Sequence, residues 1–171
     1  MRDAARVQRT FAFVDLCGFT AYTEARGDDA ALAVLAHLRA TLRATAERSG
    51  VRISKWLGDG AMICGTEPHR TLECAETVRD RVALHGPLAL RGGVAGGPVV
   101  VLEGDDYVGA AVTISARLCD KARPGELLVA ETLLERLGDD RTAEPMTMRL
   151  NGLSRPVTAR RLLAHTCPAA A

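Results

Sequence analysis

Residues 10–17, Thr-Phe-Ala-Phe-Val-Asp-Leu-Cys, limit the folds open to this chain more than any other segment. The run is apolar on both alternating faces. A strand of that kind belongs in the middle of a sheet, covered on both sides. Asp15 breaks the pattern near its end, where an ionised carboxyl is costly unless something compensates it. Asp59 stands in the same relation to a second apolar run, in Lys55-Trp56-Leu57-Gly58-Asp59-Gly60. If the two strands are neighbours, both carboxylates arrive at the same end of the sheet.

The remaining pattern alternates helices and strands. Asp28 and Asp29 can cap a helix running to about Ser49, stopped by Gly50. Val51–Leu57 reads as a strand, Asp59-Gly60 as a hairpin turn, and Ala61–Cys64 as the returning strand. Residues 68–85 form a helix with Pro68 in its first turn. Leu88–Ala95 and Val99–Glu103 read as two strands separated by Gly96-Gly97-Pro98. Val108–Ala122 is a long helix, Glu126–Ala130 a strand and 131–137 a short helix. Two terminal strands fall near 144–150 and 157–163. This order predicts an α+β fold with a ferredoxin-like split βαβ core, and a largely antiparallel mixed sheet flanked by helices. The 171 residues form one domain, with a core over about 8–163 and a frayed tail over 164–171.

Composition excludes several classes of function. Twenty-two Lys and Arg balance 21 Asp and Glu, with no basic block to track a nucleic-acid backbone. One Trp, two Tyr and three Phe are too few for a base-stacking platform. Cys17, Cys64, Cys74, Cys119 and Cys167 are odd in number and contain no C-x-x-C, so they read as small hydrophobes in a reducing compartment. His37, His69, His85 and His165 have no metal-ligand spacing. No secretory h-region or apolar span is visible, and a cytoplasmic location without membrane contact is expected.

Each candidate site residue has two readings. Asp15 is a metal ligand at a strand end or a helix N-cap. Cys17-Gly18-Phe19-Thr20 after it opens a helix whose N–H groups could hold phosphate. Asp59 is a second metal ligand or an ordinary turn residue. Two adjacent carboxylates repel unless cations bridge them, and Mg²⁺ takes one or two carboxylates plus phosphate oxygens. Lys55 falls on the same face as Val51, Ile53 and Leu57 by strict alternation, so it either snorkels from a sheet edge or is aimed at a ligand or across an interface. Thr113 and Arg117 share a helix face, and Arg117 either serves chemistry or pairs with Asp120.

Taken in order, five segments resemble the catalytic domain of class III nucleotidyl (adenylate/guanylate) cyclases of bacterial type. They are Phe13-Val14-Asp15-Leu16-Cys17-Gly18-Phe19-Thr20; Lys55-x-x-Gly58-Asp59-Gly60; Leu90-Arg91-Gly92-Gly93-Val94-Ala95-Gly96-Gly97-Pro98-Val99; Asp106-Tyr107-Val108-Gly109-x-x-Val112-x-x-x-Ala116-Arg117; and Pro124-Gly125-Glu126-Leu127-Leu128-Val129. The resemblance implies that Asp15, Asp59 and the Leu16 carbonyl hold two divalent cations, Mg²⁺ or Mn²⁺. It implies a phosphate-binding turn at Cys17, Gly18, Phe19 and Thr20, with Arg91 on the triphosphate. It implies base reading by Lys55 and Asp106, and transition-state stabilisation by Arg117 with Thr113 beside it. It also implies a head-to-tail homodimer with two shared sites.

A lysine donor and an aspartate acceptor match the N1 acceptor and N6 donor of adenine, which points to ATP as substrate and cyclic AMP as product. The chain departs from the family at Thr113, where asparagine is usual, and at Asn151, where lysine is usual. Those departures suggest slow turnover or a demand for Mn²⁺. They also keep open a second reading, a weak or degenerate domain that binds nucleotide or dimerises.

Overall fold

The computed structural model describes residues 5–103, 106–139 and 144–163. The apolar run forms β1 (Arg6–Leu16), and it lies inside the sheet as its two apolar faces require. It pairs antiparallel with β3 (Gly60–Gly65) on one side and β4 (Leu90–Leu102) on the other. With β2 (Arg52–Trp56), β6 (Glu126–Ala130), β7 (Pro145–Met148) and β8 (Val157–Leu163), the order is β2-β3-β1-β4-β6-β8-β7. A short β5 (Asp106–Val108) pairs on β4. Only β4 and β6 pair in parallel among the described strands, so the sheet is mixed and largely antiparallel, as expected.

Helices cover both faces. On one, α2 (Asp28–Ser49), α3 (Pro68–His85) and α5 (Glu131–Leu137) bury Leu38, Leu42, Val78 and Leu133 against Val14, Ile63 and Leu127. On the other, α4 (Ala110–Lys121) packs Leu118 against Ala95 and Leu128, and Ala111 joins Phe11, Met62 and Val99. The remaining helix, α1 (Phe19–Arg26), follows β1 directly. Burial raises the Cys74 thiol to about 11 and Cys119 to about 12, as fits thiols used as small hydrophobes. Cys167, His165 and the expected tail lie outside the described residues. Among the described residues, no helix is long and apolar enough to cross a membrane.

The structure corrects the sequence reading in several places. Gly96-Gly97-Pro98 does not separate two strands, because β4 runs unbroken through it and pairs residue by residue with Arg9 and Gln8. Gly92, Gly93 and Gly96 of β4 mark close approach, not turning. A Cβ on Gly93 would sit 2.1 Å from the Ser115 carbonyl and 2.3 Å from the Cys119 amide, because α4 lies directly on the strand backbone. The helix expected from Val108 begins at Ala110, since residues 106–108 add to the sheet as β5. The caps also differ. Gly27, not an aspartate side chain, caps α2, and Asp28 and Asp29 stand in its first turn, favourable to the helix dipole. A further correction, at Lys55, belongs to the site.

Candidate active site

The β1–β3 register brings the two aspartates together. Asp15 lies opposite Gly60, and the Leu16 N–H donates to the Asp59 carbonyl at 3.2 Å. Leu57 and Gly60 exchange two backbone hydrogen bonds (2.9 and 3.3 Å), so the tight turn is Gly58-Asp59, one residue earlier than the Asp-Gly signal suggests. Gly58 takes the left-handed conformation at φ 72°. Gly60 is glycine for a different reason: a Cβ there would meet the Val14 carbonyl at 2.4 Å.

Burial raises the Asp15 pKa, and the charges of Asp59 and Asp120 push the same way. Arg91 opposes them. Directly across β4 from Asp15, its guanidinium donates Nη2 at 2.9 Å and Nε at 3.2 Å to Asp15 Oδ2. That contact in turn raises the Arg91 pKa. Arg91 Nη1 also donates to the Asp120 carbonyl at 3.2 Å. Sequence reasoning placed Arg91 on a triphosphate and missed this pairing. An acid near the end of one central strand and a base near the start of its antiparallel neighbour was the signal available.

The turn expected to hold phosphate offers fewer free amides than its sequence suggests. The Cys17 N–H donates to the Ala89 carbonyl at 2.9 Å and so is already engaged. Gly18, in the left-handed conformation at φ 74°, caps α1, and the amides of Phe19 and Thr20 belong to its open first turn.

Lys55 does not share a face with Ile53. A bulge lies between them: Ile53 is opposite Ile63, yet Lys55 is opposite Met62. The extra residue reverses the alternation, because a strand's side chains repeat every two residues. Trp56 therefore turns into the core against Ala61, beneath the guanidiniums of Arg39 and Arg43 at 5.1 and 5.2 Å. Lys55 turns out to the opposite face and meets Asp106, 51 residues away, with Nζ 2.5 Å from Oδ1. The hydrogen bond and charge of Lys55 hold the Asp106 carboxyl below the ordinary range.

On α4, Thr113 and Arg117 are both exposed on one face, as expected. Arg117 donates Nη1 to Asp120 Oδ2 at 3.1 Å. A cleft of about 220 Å³ connects this helix face to the aspartate corner, lined by Phe13, Asp15, Leu57, Gly60, Arg117 and Asp120 among others. The strand order sets the β7–β8 turn, with Asn151, far across the sheet from β2.

No family model matches the chain. In sequence, a Mycobacterium tuberculosis protein named pH-sensitive adenylate cyclase is 34% identical over 136 residues, covering 77% of this chain and 33% of that protein. In structure, the guanylyl cyclase Cya2 superposes with a TM-score of 0.81 at 23% identity, covering 97% of this chain and 96% of that one. The adenylyl cyclase CyaB from P. aeruginosa gives 0.82 at 21% identity, with 96% and 98% covered. The chain folds as a class III nucleotidyl cyclase catalytic domain. Both adenylyl and guanylyl cyclases share this fold, so the cyclase fold by itself does not choose the purine. The chain spans about two-fifths of the length of the first curated relatives it matches.

The cyclase corner suits hard divalent cations. Asp15 and Asp59 offer carboxylate oxygens whose mutual charge already disfavours ionisation of Asp15. Among the described residues, no cluster of three or more His, Cys, Asp or Glu stands ready as a full cage. A carboxylate pair is the donor set expected where phosphate oxygens and water complete the shell of Mg²⁺ or Mn²⁺.

Proposed function

We propose that this chain is the catalytic domain of an adenylate cyclase, converting ATP to 3′,5′-cyclic AMP and pyrophosphate in the cytoplasm. The observation that carries the reading is the Lys55–Asp106 contact, a donor and an acceptor 2.5 Å apart and exposed on the cyclase fold. That polarity complements the Watson–Crick edge of adenine and opposes that of guanine. Cytosine has the same polarity as adenine there, so the Lys55–Asp106 pair alone does not reject it and pocket size would have to.

Asp15, Asp59 and the Leu16 carbonyl hold two divalent cations, which supply charge that eases deprotonation of the ribose 3′-hydroxyl and offsets charge on the leaving pyrophosphate. The amides of Gly18, Phe19 and Thr20 orient the triphosphate at the start of α1. Arg117 offsets the charge that builds on the α-phosphoryl group, with Thr113 one helical turn away to orient the ribose or that phosphate. Lys55 and Asp106 fix the base. The two halves come from different chains in a head-to-tail homodimer. Exposed Leu57, Val101, Leu102 and Val108 border the two halves and favour cover by a symmetric partner.

Incubation with ATP and Mn²⁺, followed by measurement of cyclic AMP, tests the reading. Turnover by the wild type and its loss in Asp59→Ala is the expected result. No turnover, or equal turnover in the variant, refutes it, and a preference for GTP refutes the role of Lys55. Sedimentation should show a dimer at concentrations that support activity. A second reading, a nucleotide-binding or dimerisation module without turnover, is favoured by one observation: Thr113 lacks the amide usual in the family, and Arg117 beside it is tied to Asp120 at 3.1 Å. Nucleotide binding without product supports that reading.

A further inference from the structure

We propose that Arg91 is a resident cation on Asp15, one that a second metal must displace and that an incoming triphosphate draws away. The proposal rests on the reading of Asp15 and Asp59 as a metal pair. Antiparallel pairing sets Arg91 opposite Asp15, and both guanidinium donors fall on the same oxygen, Oδ2, at 2.9 and 3.2 Å. The other oxygen, Oδ1, lies 3.2 Å from where a Cβ on Gly60 would stand, beside the residue that follows the Gly58-Asp59 turn. Oδ1 would be left to hold a cation with Asp59, and a second cation would compete with Arg91 for Oδ2.

Both partners are about 30% exposed, at 30% and 27%, so solvent screens this contact less than an ordinary surface pair. Charge-assisted contacts of an arginine with a carboxylate are about twice as strong as neutral ones. A triphosphate brings oxygens that compete for the same guanidinium fork. Its arrival exchanges one partner of Arg91 for another and leaves Oδ2 to the metal. Metal and nucleotide binding are coupled by this exchange, and Arg91 acts as a positioning residue for the cation site. The third contact, Nη1 to the Asp120 carbonyl at 3.2 Å, anchors the resting position to the end of α4.

The test is Mn²⁺ titration of the nucleotide-free protein, followed by electron paramagnetic resonance, in wild type, Arg91→Gln, Arg91→Lys and Asp59→Asn. Arg91→Gln should bind Mn²⁺ about tenfold more tightly than wild type, equivalent to about 1.4 kcal/mol. Adding 3′-deoxy-ATP, which cannot cyclise, should tighten Mn²⁺ binding in wild type and much less in Arg91→Gln. Equal or weaker nucleotide-free binding in Arg91→Gln overturns the proposal. Thermal melting establishes that the variant is folded. If it is not, Arg91→Lys decides, with binding a few-fold tighter than wild type expected and unchanged or weaker binding overturning the proposal. Asp59→Asn separates the two levels. If it leaves Mn²⁺ binding unaltered, the metal pair itself is wrong. If the wild type makes no cyclic AMP while Arg91→Gln still tightens Mn²⁺ binding, the proposed activity falls and the exchange stands.

Discussion

Replacing Gly93 by alanine tests how α4 is mounted on the sheet. The added Cβ would sit 2.1 Å from the Ser115 carbonyl oxygen, 2.3 Å from the Cys119 nitrogen and 2.8 Å from the Leu118 carbonyl carbon. All three are backbone atoms of one helix, so no side-chain rotation relieves the clash. Ordinary carbon contacts are about 3.5–4.0 Å, and α4 must therefore rise by about 1 Å or more. That movement loosens Leu118 from Ala95 and Leu128, and Ala111 from Phe11 and Val99. Overpacking of a tight core costs about 1–3 kcal/mol. With about 2–4 °C per kcal/mol for a domain of this size, a fall in Tm of roughly 2–12 °C is expected by calorimetry. Gly97→Ala is the internal control on the same strand, because its Cβ would meet only Ala111 Cβ at an ordinary 3.5 Å. Its Tm should stay within about 2 °C of wild type, a surface-like change of about 0.5 kcal/mol. If the two variants melt together, direct contact of the α4 backbone with β4 is refuted.

Three further outcomes follow from named contacts. Lys55→Glu should cut cyclic AMP formation by at least about tenfold, the loss expected when a charged partner is reversed, and raise the ratio of GTP to ATP turnover; an unchanged ratio refutes base reading by Lys55. Asp15 has a folded-state pKa raised above its unfolded value, so its favourable contribution is full below about 3.9 and is lost as pH rises through the folded value. The Tm of metal-free Asp15→Asn relative to wild type should therefore rise from pH 4 to pH 8, and a difference that shrinks with pH contradicts the sign. Arg79 is fully buried and donates Nη1 to the Leu162 carbonyl at 2.8 Å. Arg79→Ala should cost about 2–4 kcal/mol by leaving that carbonyl unpaired beside a cavity, read as a lower urea midpoint; a midpoint equal to wild type refutes a structural role for the arginine.

Strand and helix positions were legible wherever periodicity was clean. α2, α3, β6 and α5 lie where the apolar pattern, Pro68 and Gly50 indicate, whereas β1 begins at Arg6, four residues before the apolar run. The meeting of Asp15 with the Gly58-Asp59 turn was legible as a conditional, because two apolar strands ending in aspartate need only be neighbours. What escaped was set by contacts distant in sequence. Gly96-Gly97-Pro98 looks like a break because glycine and proline usually break strands, yet the residues there pair with β1 alone, between the stretches of β4 that pair with β6 and β5. Lys55 was assigned to the wrong face because a bulge leaves no mark in an apolar pattern. The Arg91–Asp15 fork and the engagement of the Cys17 amide by Ala89 depend on register, which local sequence does not encode.

The bulge in β2 also bears on how such a chain can change. One extra residue turns Trp56, which the core cannot spare, inward, and leaves the adjacent Lys55 on the face the core does not touch. Constraint and freedom thus sit side by side on one strand. A substitution at position 55 alters the charge on that exposed face while the tryptophan keeps the strand anchored to α2. On the proposed reading of Lys55 as a base contact, a change of charge there also faces Asp106, so a shift of preference needs a matching change at position 106.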